Sequence, residues 1–427
     1  MFINFAEAET YLTNRKSFGI KPGLERIKEM LHLLDHPERK VKGIHVAGTN
    51  GKGSTVQYMK NALTQNNYNV GVFVSPSADS LTGHMFINDH SIEEIEFVNL
   101  LNDVYPIISE LDDKNKHPTE FEIITVLAFL YFADSVDIAL IEAGMGGRGD
   151  TTNCFSPLIS IITNVSLDHM MFLGNNLEDI AYQKAGIIKN NIPSVIGPMA
   201  EEALKVIQHE SEMKSSSLLR YGQEFKIINS WDNGFIVESQ VHKSANILLQ
   251  MKGEHQKINA SIAYMAILLL REIGFSIDLV SAVEGFKQTR FSGRFECIHQ
   301  QPQIIIDGAH NEAGIKAFIQ TANLLNNNHK KHIIFAAFKD KDIKKMLSEL
   351  ESHFETITLT TFENPRAASK ELLSKYENLK NIEIIADWKK VIESVLMSQK
   401  TDTDYFVTGS LDFITIVKKF IDSKGNL

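Results

Sequence analysis

Gly48-Thr49-Asn50-Gly51-Lys52-Gly53-Ser54 follows directly on the apolar run Gly43-Ile44-His45-Val46-Ala47. A β-rich segment feeding a glycine loop, then Ser54-Thr55-Val56-Gln57-Tyr58-Met59, reads as strand, phosphate loop and helix start. Glycines let several backbone N–H groups converge on an anion without a Cβ clash, and a helix N-terminus adds about half a positive charge. The reading is a triphosphate site. Gly48, Thr49, Asn50, Gly51, Gly53 and Thr55 form the cradle, Lys52 approaches phosphate oxygens, and the Ser54 hydroxyl is a candidate Mg2+ ligand. The loop departs from the common GxxxxGK[ST] form, because Lys52 precedes Gly53 instead of following it. By spacing alone, a glycine-rich strand–helix turn with one solvated lysine is the alternative.

Outward from this loop the chain alternates. Residues 70–74, 138–142 and 158–163 are expected strands, 120–133 and 260–272 expected helices. Near-continuous apolar strands separated by helical patterns predict a mostly parallel sheet covered on both faces. A second series starts near Cys297, with strands over 304–307, 332–337, 356–359, 382–385 and 405–408 and a helix over 312–325. The α/β class follows, with two domains of residues 1–296 and 297–427 joined somewhere in 295–301. A single large α/β domain is the alternative.

With 427 residues the chain can bury two cores. Its net charge of -10 argues against extended nucleic-acid binding while permitting a local phosphate patch. Cys154 and Cys297 are the only cysteines, so neither a disulfide framework nor a thiolate zinc cluster is available. Met1-Phe2-Ile3-Asn4-Phe5-Ala6-Glu7 lacks the basic flank and apolar core of a secretion signal, and a cytoplasmic setting is expected. The apolar run 126–133 is too short to span a bilayer and reads as buried helix.

Three further places carry chemistry. Glu142 ends a strand and enters Ala143-Gly144-Met145-Gly146-Gly147-Arg148-Gly149-Asp150, where strand ends of open α/β sheets line a ligand crevice. A carboxylate there binds Mg2+ or caps a local turn. Asp168-His169 stands at another strand end, either a metal-ligating imidazole with its orienting acid or a satisfied surface pair. Lys184, in Tyr182-Gln183-Lys184-Ala185-Gly186, is either a solvated helix-end lysine or an amine that serves phosphate or carries a carboxyl group.

Taken in order, these motifs resemble the folylpolyglutamate synthase/dihydrofolate synthase family of Mur-type ATP-dependent amide ligases, over nearly the whole chain. Gly253-Glu254-His255-Gln256-Lys257-Ile258-Asn259-Ala260, Gly293-Arg294-Phe295-Glu296, Asp307-Gly308-Ala309-His310-Asn311, Lys339-Asp340-Lys341-Asp342 and Pro365-Arg366-Ala367-Ala368 complete the set. The resemblance implies a P-loop parallel-sheet ATPase-like domain, then a smaller Rossmann-like domain that completes an inter-domain active site. It implies that ATP phosphorylates a reduced folate or folylpolyglutamate and that the amine of L-glutamate attacks the acyl phosphate. It carries metal roles, with two Mg2+ ions, to Ser54, Glu142 and His169, and makes Lys184 the lysine that is carboxylated near the second ion. Lys52, Lys184, His169 and Arg294 become the catalytic set. Asn259, Arg294, Asp307 and His310 join the nucleotide side, and Ser75, Gly147 and Asp150 the folate side.

The chain departs from the family pattern in places. Ser77 follows Ser75-Pro76 where histidine is common, Gly83-His84-Met85 replaces Glu-Arg-Ile, and Gln183 replaces a frequent glutamate. Gly149 precedes Asp150 where leucine or phenylalanine is frequent, and Glu312 replaces a frequent proline. The changes at 77, 83–85 and 149 bear on the folate contacts rather than on ATP use, Gln183 removes a negative charge beside Lys184, and Glu312 follows Asn311 in a loop-to-helix transition. Alternatives are an enzyme that also makes dihydrofolate from dihydropteroate, a divergent carboxylate–amine ligase, and a non-catalytic nucleotide- and folate-binding module. A monomer suffices for the ligase.

Overall fold

The apolar run Gly43–Ala47 is a fully buried strand, β1, and the helix Lys52–Thr64 begins after the four residues 48–51. The computed structural model describes residues 1–424 except 20, 22, 76–79, 243, 326–327, 399 and 401. Pro76, Ser77 and Ala78 therefore lie outside the described residues.

The chain divides into two units, Met1–Gln250 with Lys257–Thr289, and Met251–Gln256 with Arg290–Leu427. The division falls before 295–301, and residues 290–296 go with the second unit. Local bonding explains this: Gly308 N–H donates to the Gly293 carbonyl at 2.9 Å, and Phe295 N–H to the Asp307 carboxylate at 2.9 Å.

In the first unit, β1 is joined by β2 Val70–Phe73, β3 Met85–Ile87, β4 His90–Ser91, β5 Ile138–Glu142, β6 Ile159–Ile162, β7 Ser194–Ile196 and β8 Leu218–Arg220. Among the described residues they form an eight-stranded sheet in the order β4-β3-β2-β5-β1-β6-β7-β8. The neighbours from β2 through β5, β1, β6 and β7 to β8 are parallel, while β3 pairs antiparallel with both β2 and β4. Val46 lies opposite Glu142, and Ala47 opposite Ile162. This register brings the carboxyl ends of β5, β1 and β6 level, so that three loops leave side by side.

Helix Glu120–Ala133 starts at a capping box: Thr119 N–H donates to Glu122 Oε2 at 2.7 Å and Glu122 N–H to Thr119 Oγ1 at 3.3 Å. Its Phe129 and Phe132 join Phe97 and Ile141 in one core, burying the run read from sequence as a core helix. A second cluster gathers Ile162, Ile180, Ala185, Ile196 and Ile207 beneath helices Leu177–Ala185 and Glu201–Met213. An antiparallel sheet of β9 Phe225–Trp231, β10 Gly234–Ser239 and β11 Ala245–Leu248 was not foreseen, because much of β9 is exposed and gives no continuous apolar run.

The second unit holds β12 Glu296–Gln300, β13 Gln303–Ile306, β14 Lys330–Phe335, β15 Thr356–Thr361, β16 Ile382–Asp387 and β17 Thr403–Thr408 in the order β12-β13-β17-β14-β15-β16. Only β12 is antiparallel. No described helix is long and apolar enough to cross a membrane.

Candidate active site

The phosphate loop is shaped from outside. Gly48 has φ 151°, and a Cβ there would fall 1.9 Å from Thr163 Oγ1. Gly51 has φ 84°, and a Cβ would fall 2.3 Å from Asn259 Oδ1. Side chains other than glycine's are excluded by both backbone and space. The segment after β6 clamps the loop. Asn50 N–H donates to Asn164 Oδ1 at 3.0 Å, while the Asn50 carbonyl accepts from Thr163 Oγ1 at 2.6 Å and Asn164 Nδ2 at 2.9 Å. Thr49 Oγ1 donates to the Ser166 carbonyl and accepts from Ser166 N–H. Thr163, Asn164 and Ser166 had no sequence signal beyond their position past a strand.

With its turn held, the loop delivers the first helical N–H groups, of Lys52, Gly53 and Ser54, which have no intrahelical acceptors. Thr55 N–H already donates to the Gly51 carbonyl at 2.9 Å. Lys52 folds back, its ammonium 3.2 Å from the Gly48 carbonyl and 3.8 Å from Glu142 Oε1. The structure thus brings Lys52, Ser54, Asn259 and Glu142 around one loop. His45, beneath it in β1, is wholly buried, donates to or accepts from Thr152 Oγ1 at 2.9 Å, and is pushed down to about 3 by burial and by Lys189. It is a packing residue.

Lys184 ends the helix Leu177–Ala185, which Asn176 caps through Asp179 N–H at 2.7 Å. It is 3% exposed, not solvated. Burial and then the nearby Lys52 charge push its amine down to about 7, against the opposing pull of Asp168 and Asp150. Asp168 Oδ1 accepts the His169 N–H at 2.8 Å, and its Oδ2 lies 3.9 Å from His169 Nε2. His169, with φ 50°, heads the short helix Met170–Leu173 and keeps about a third of its side chain exposed.

The folate-side residues separate. Ser75 lies half-buried just past β2. Gly147 packs on the Lys184 helix, where a Cβ would meet the Gln183 carbonyl at 2.9 Å and the Lys184 carbonyl at 3.0 Å. Asp150 is buried and clasps its own loop: Oδ2 accepts from Met145 N–H at 2.7 Å, and Oδ1 from Thr152 N–H and Oγ1 at 3.0 and 2.5 Å. Burial raises its pKa despite these bonds.

In the second unit, Arg294, Asp307 and His310 share one corner. Asp307 is again a buried clasp, accepting from Phe295 N–H and Ala309 N–H at 2.9 Å each. A Cβ at Gly308 would come within 2.6 Å of Arg294 Nη1, and His310 Nδ1 donates to the Gly308 carbonyl at 2.8 Å.

Comparison with known proteins matches residues 46–267 to the Mur ligase middle domain and residues 293–411 to the Mur ligase, glutamate ligase domain. A relative from Bacillus subtilis, a dihydrofolate synthase/folylpolyglutamate synthase, is 35% identical over 98% of this chain and 99% of its own length. The chain belongs to this family of Mur ligases. A folylpolyglutamate synthase from Lacticaseibacillus casei is 30% identical over 98% of each chain. Among solved structures, Mycobacterium tuberculosis folylpolyglutamate synthase complexed with ADP superposes with a TM-score of 0.89 at 28% identity, over 97% of this chain and 98% of that one. The two-domain α/β architecture expected from sequence is that of this ligase family.

The residues expected from sequence to hold a metal, Ser54, Glu142 and His169, would offer one hydroxyl, one carboxylate and one imidazole, and no group of three His, Cys, Asp or Glu side chains is poised to hold an ion among the described residues. That set fits Mg2+ shared with phosphate oxygens and water rather than an ion caged by protein alone.

Proposed function

We propose that this chain joins L-glutamate to a reduced folate, or to one already glutamylated, while ATP becomes ADP and phosphate. The observation that carries the reading is Lys52, Glu142 and the deprotonation-prone Lys184 gathered at a glycine loop, in a chain related from end to end to enzymes named for this activity.

A carboxylate acylates poorly because oxide is a poor leaving group. In the first step a folate carboxylate oxygen bonds to the γ-phosphorus as its bond to the bridging oxygen breaks, the electron pair leaving on ADP. The first-turn N–H groups and the Lys52 ammonium hold the charge that gathers on the phosphoryl oxygens. In the second step the neutral glutamate amine adds to the acyl carbon, phosphate leaves with the C–O pair, and the nitrogen gives its proton to water. Ser54, Glu142 and His169 would hold Mg2+, two ions by the family resemblance, which would supply further charge neutralisation on the phosphates. Lys184, whose buried amine is pushed down to about 7, would in its neutral form add to CO2 and lose one proton to water, leaving a carbamate that would be an anionic oxygen donor for Mg2+.

The family resemblance carries nucleotide-side roles to Arg294 and His310, so turnover is expected to require the carboxy-terminal domain, and a fragment of residues 1–296 is expected to lose amide synthesis. Both units lie on one chain, so a monomer suffices, and the substrates suit a cytoplasmic enzyme. The Bacillus relative's double name favours dihydropteroate as a second acceptor. The test supplies tetrahydrofolate, or dihydropteroate in parallel, with L-glutamate and Mg-ATP and identifies products by mass. One new amide per ADP is expected. ATP turnover without an amide, or no reaction with either acceptor, overturns the proposal.

A further inference from the structure

The helix Glu25–Leu33 and the tight turn Pro37–Arg39 meet the segment 154–156 around a cavity of about 380 Å3, at the small end of the range that ligands fill. It lies away from the phosphate loop. A Cβ at Gly43 would meet the Phe155 ring at 2.9 Å, so this ring marks the amino end of β1. The phosphate loop leaves the carboxyl end of the same strand, about 13 Å further on at roughly 3.3 Å per residue. Leu31 and Phe155, both buried, give the cavity apolar walls.

Its polar groups are sorted by charge. Glu38 is 7% exposed. Its Oε1 lies 2.9 Å from His36 Nδ1 and 3.7 Å from Arg39 Nε, and His36 Nε2 in turn lies 3.2 Å from His32 Nδ1. Oε2 is buried and has no hydrogen-bond partner among the described residues. An unpaired carboxylate oxygen held out of water is costly, so a donor supplied to it would be stabilising. The turn that carries Glu38 is itself strained: Asp35 and His36 have φ of 59° and 58°, two consecutive left-handed residues without a glycine. Lys28 and Arg39 bring two cationic groups to the same cavity. Among the described residues no carboxylate lies within ion-pair distance of the Lys28 ammonium, and Arg39 keeps most of its side chain exposed. Burial, then the Glu38 charge, push the Cys154 thiol up, so it is a neutral wall and not a nucleophile.

One buried acceptor beneath two exposed cations is a poor match for a simple ion. A phosphate would bring negative charge against the Glu38 carboxylate, and a bare metal ion would face two cations with a single carboxylate to hold it. A molecule carrying both an amine and carboxylates matches both halves. We infer that this cavity binds a free acidic amino acid, its ammonium at Glu38 and its two carboxylates at Lys28 and Arg39. The amine must be free, because an amide N–H carries no charge to set against a buried carboxylate. The site is separate from the phosphate loop and does not rest on the ligase reading.

The experiment measures binding of labelled L-glutamate to the full-length, nucleotide-free protein by equilibrium dialysis, in the wild type, Lys28→Met and Glu38→Gln, with amide synthesis assayed in parallel. Binding is expected to weaken about tenfold in each variant, as for the loss of one charge-assisted hydrogen bond, while KM for L-glutamate in Lys28→Met stays within about twofold of wild type. Glutarate, which lacks the amine, is expected to compete about tenfold less well than unlabelled L-glutamate. Lys28→Met alters an exposed side chain and decides the matter where Glu38→Gln fails to fold. No binding without nucleotide, binding unchanged in Lys28→Met, a matching rise in KM for L-glutamate, or glutarate competing as well as L-glutamate overturns the assignment and leaves the ligase reading intact. Binding that weakens in Lys28→Met, in a protein that makes no amide, upholds the site and overturns the ligase reading instead.

Discussion

Two loops leave neighbouring strands of the first sheet and turn their polar groups in opposite directions. At 48–54 the turn is held mainly by Thr163, Asn164 and Ser166 from the segment after the next strand, so its first-turn N–H groups are left for a ligand, with Lys52 resting against Gly48 and Glu142 beside them. At 143–150 the loop holds itself, and Asp150 is consumed by Met145 and Thr152. The second unit repeats the inward pattern at Asp307. A motif residue therefore serves chemistry where other elements shape its loop, and serves the loop where it must do the shaping.

The contrast is sharpest at Lys52. Lys52→Ala should lower kcat roughly 100- to 1,000-fold, the loss of about 3–4 kcal/mol of transition-state stabilisation, with an unchanged melting temperature. Steady-state kinetics with a thermal melt checks this, and a large fall in stability at near-normal kcat would show that the outward loop is structural after all.

Lys184→Met should cost turnover roughly 100-fold while stabilising the fold. The sign follows from its pKa, about 7 in the folded chain against an ordinary 10.5. Between those values the unfolded chain holds a proton that the folded chain lacks, so stability rises with pH there. The burial cost is full below pH 7 and fades towards 10.5. The variant's gain in melting temperature should shrink over that window, and wild-type activity should rise as pH climbs through about 7 and the amine becomes free for CO2. A wild-type rate flat through that range would remove the carbamate.

Asp150→Asn should reverse the Lys52 pattern. The amide puts an N–H2 where Met145 or Thr152 also donates, so stability should fall by about 1–3 kcal/mol while kcat at saturating substrate stays within about threefold. Denaturant melts and kinetics decide it: a large kinetic loss at full stability would make Asp150 a folate contact. The smallest effect is expected at Asn164→Ala, which loosens the clamp and should raise KM for ATP about fivefold, near 1 kcal/mol, at unchanged kcat.

Much of this was legible from the residues. The strand 138–142 and the helix 120–133 were read at their observed bounds, because each carries a near-continuous apolar run. The phosphate loop and the strand-end position of Glu142 were equally plain. What the sequence concealed is non-local. Thr163 and Asn164 clamp the loop only because β6 pairs with β1, and strand order is not written in either segment. The inward turn of Asp150 depends on where Met145 and Thr152 point their N–H groups, and Lys184 gave no sign of burial in a helix end that reads as solvated. The junction shifted for the same reason, since pairing with Asp307 and Gly308 draws residues 293–295 into the second unit.

The account stands on an acyl phosphate made at the outward loop, and an isotope experiment addresses it directly. Tetrahydrofolate glutamate labelled with heavy oxygen in its terminal carboxylate is turned over with ATP and L-glutamate, and the released phosphate is analysed by mass. Transfer of one labelled oxygen into each phosphate is the predicted result. Unlabelled phosphate accompanying a newly formed amide would contradict it.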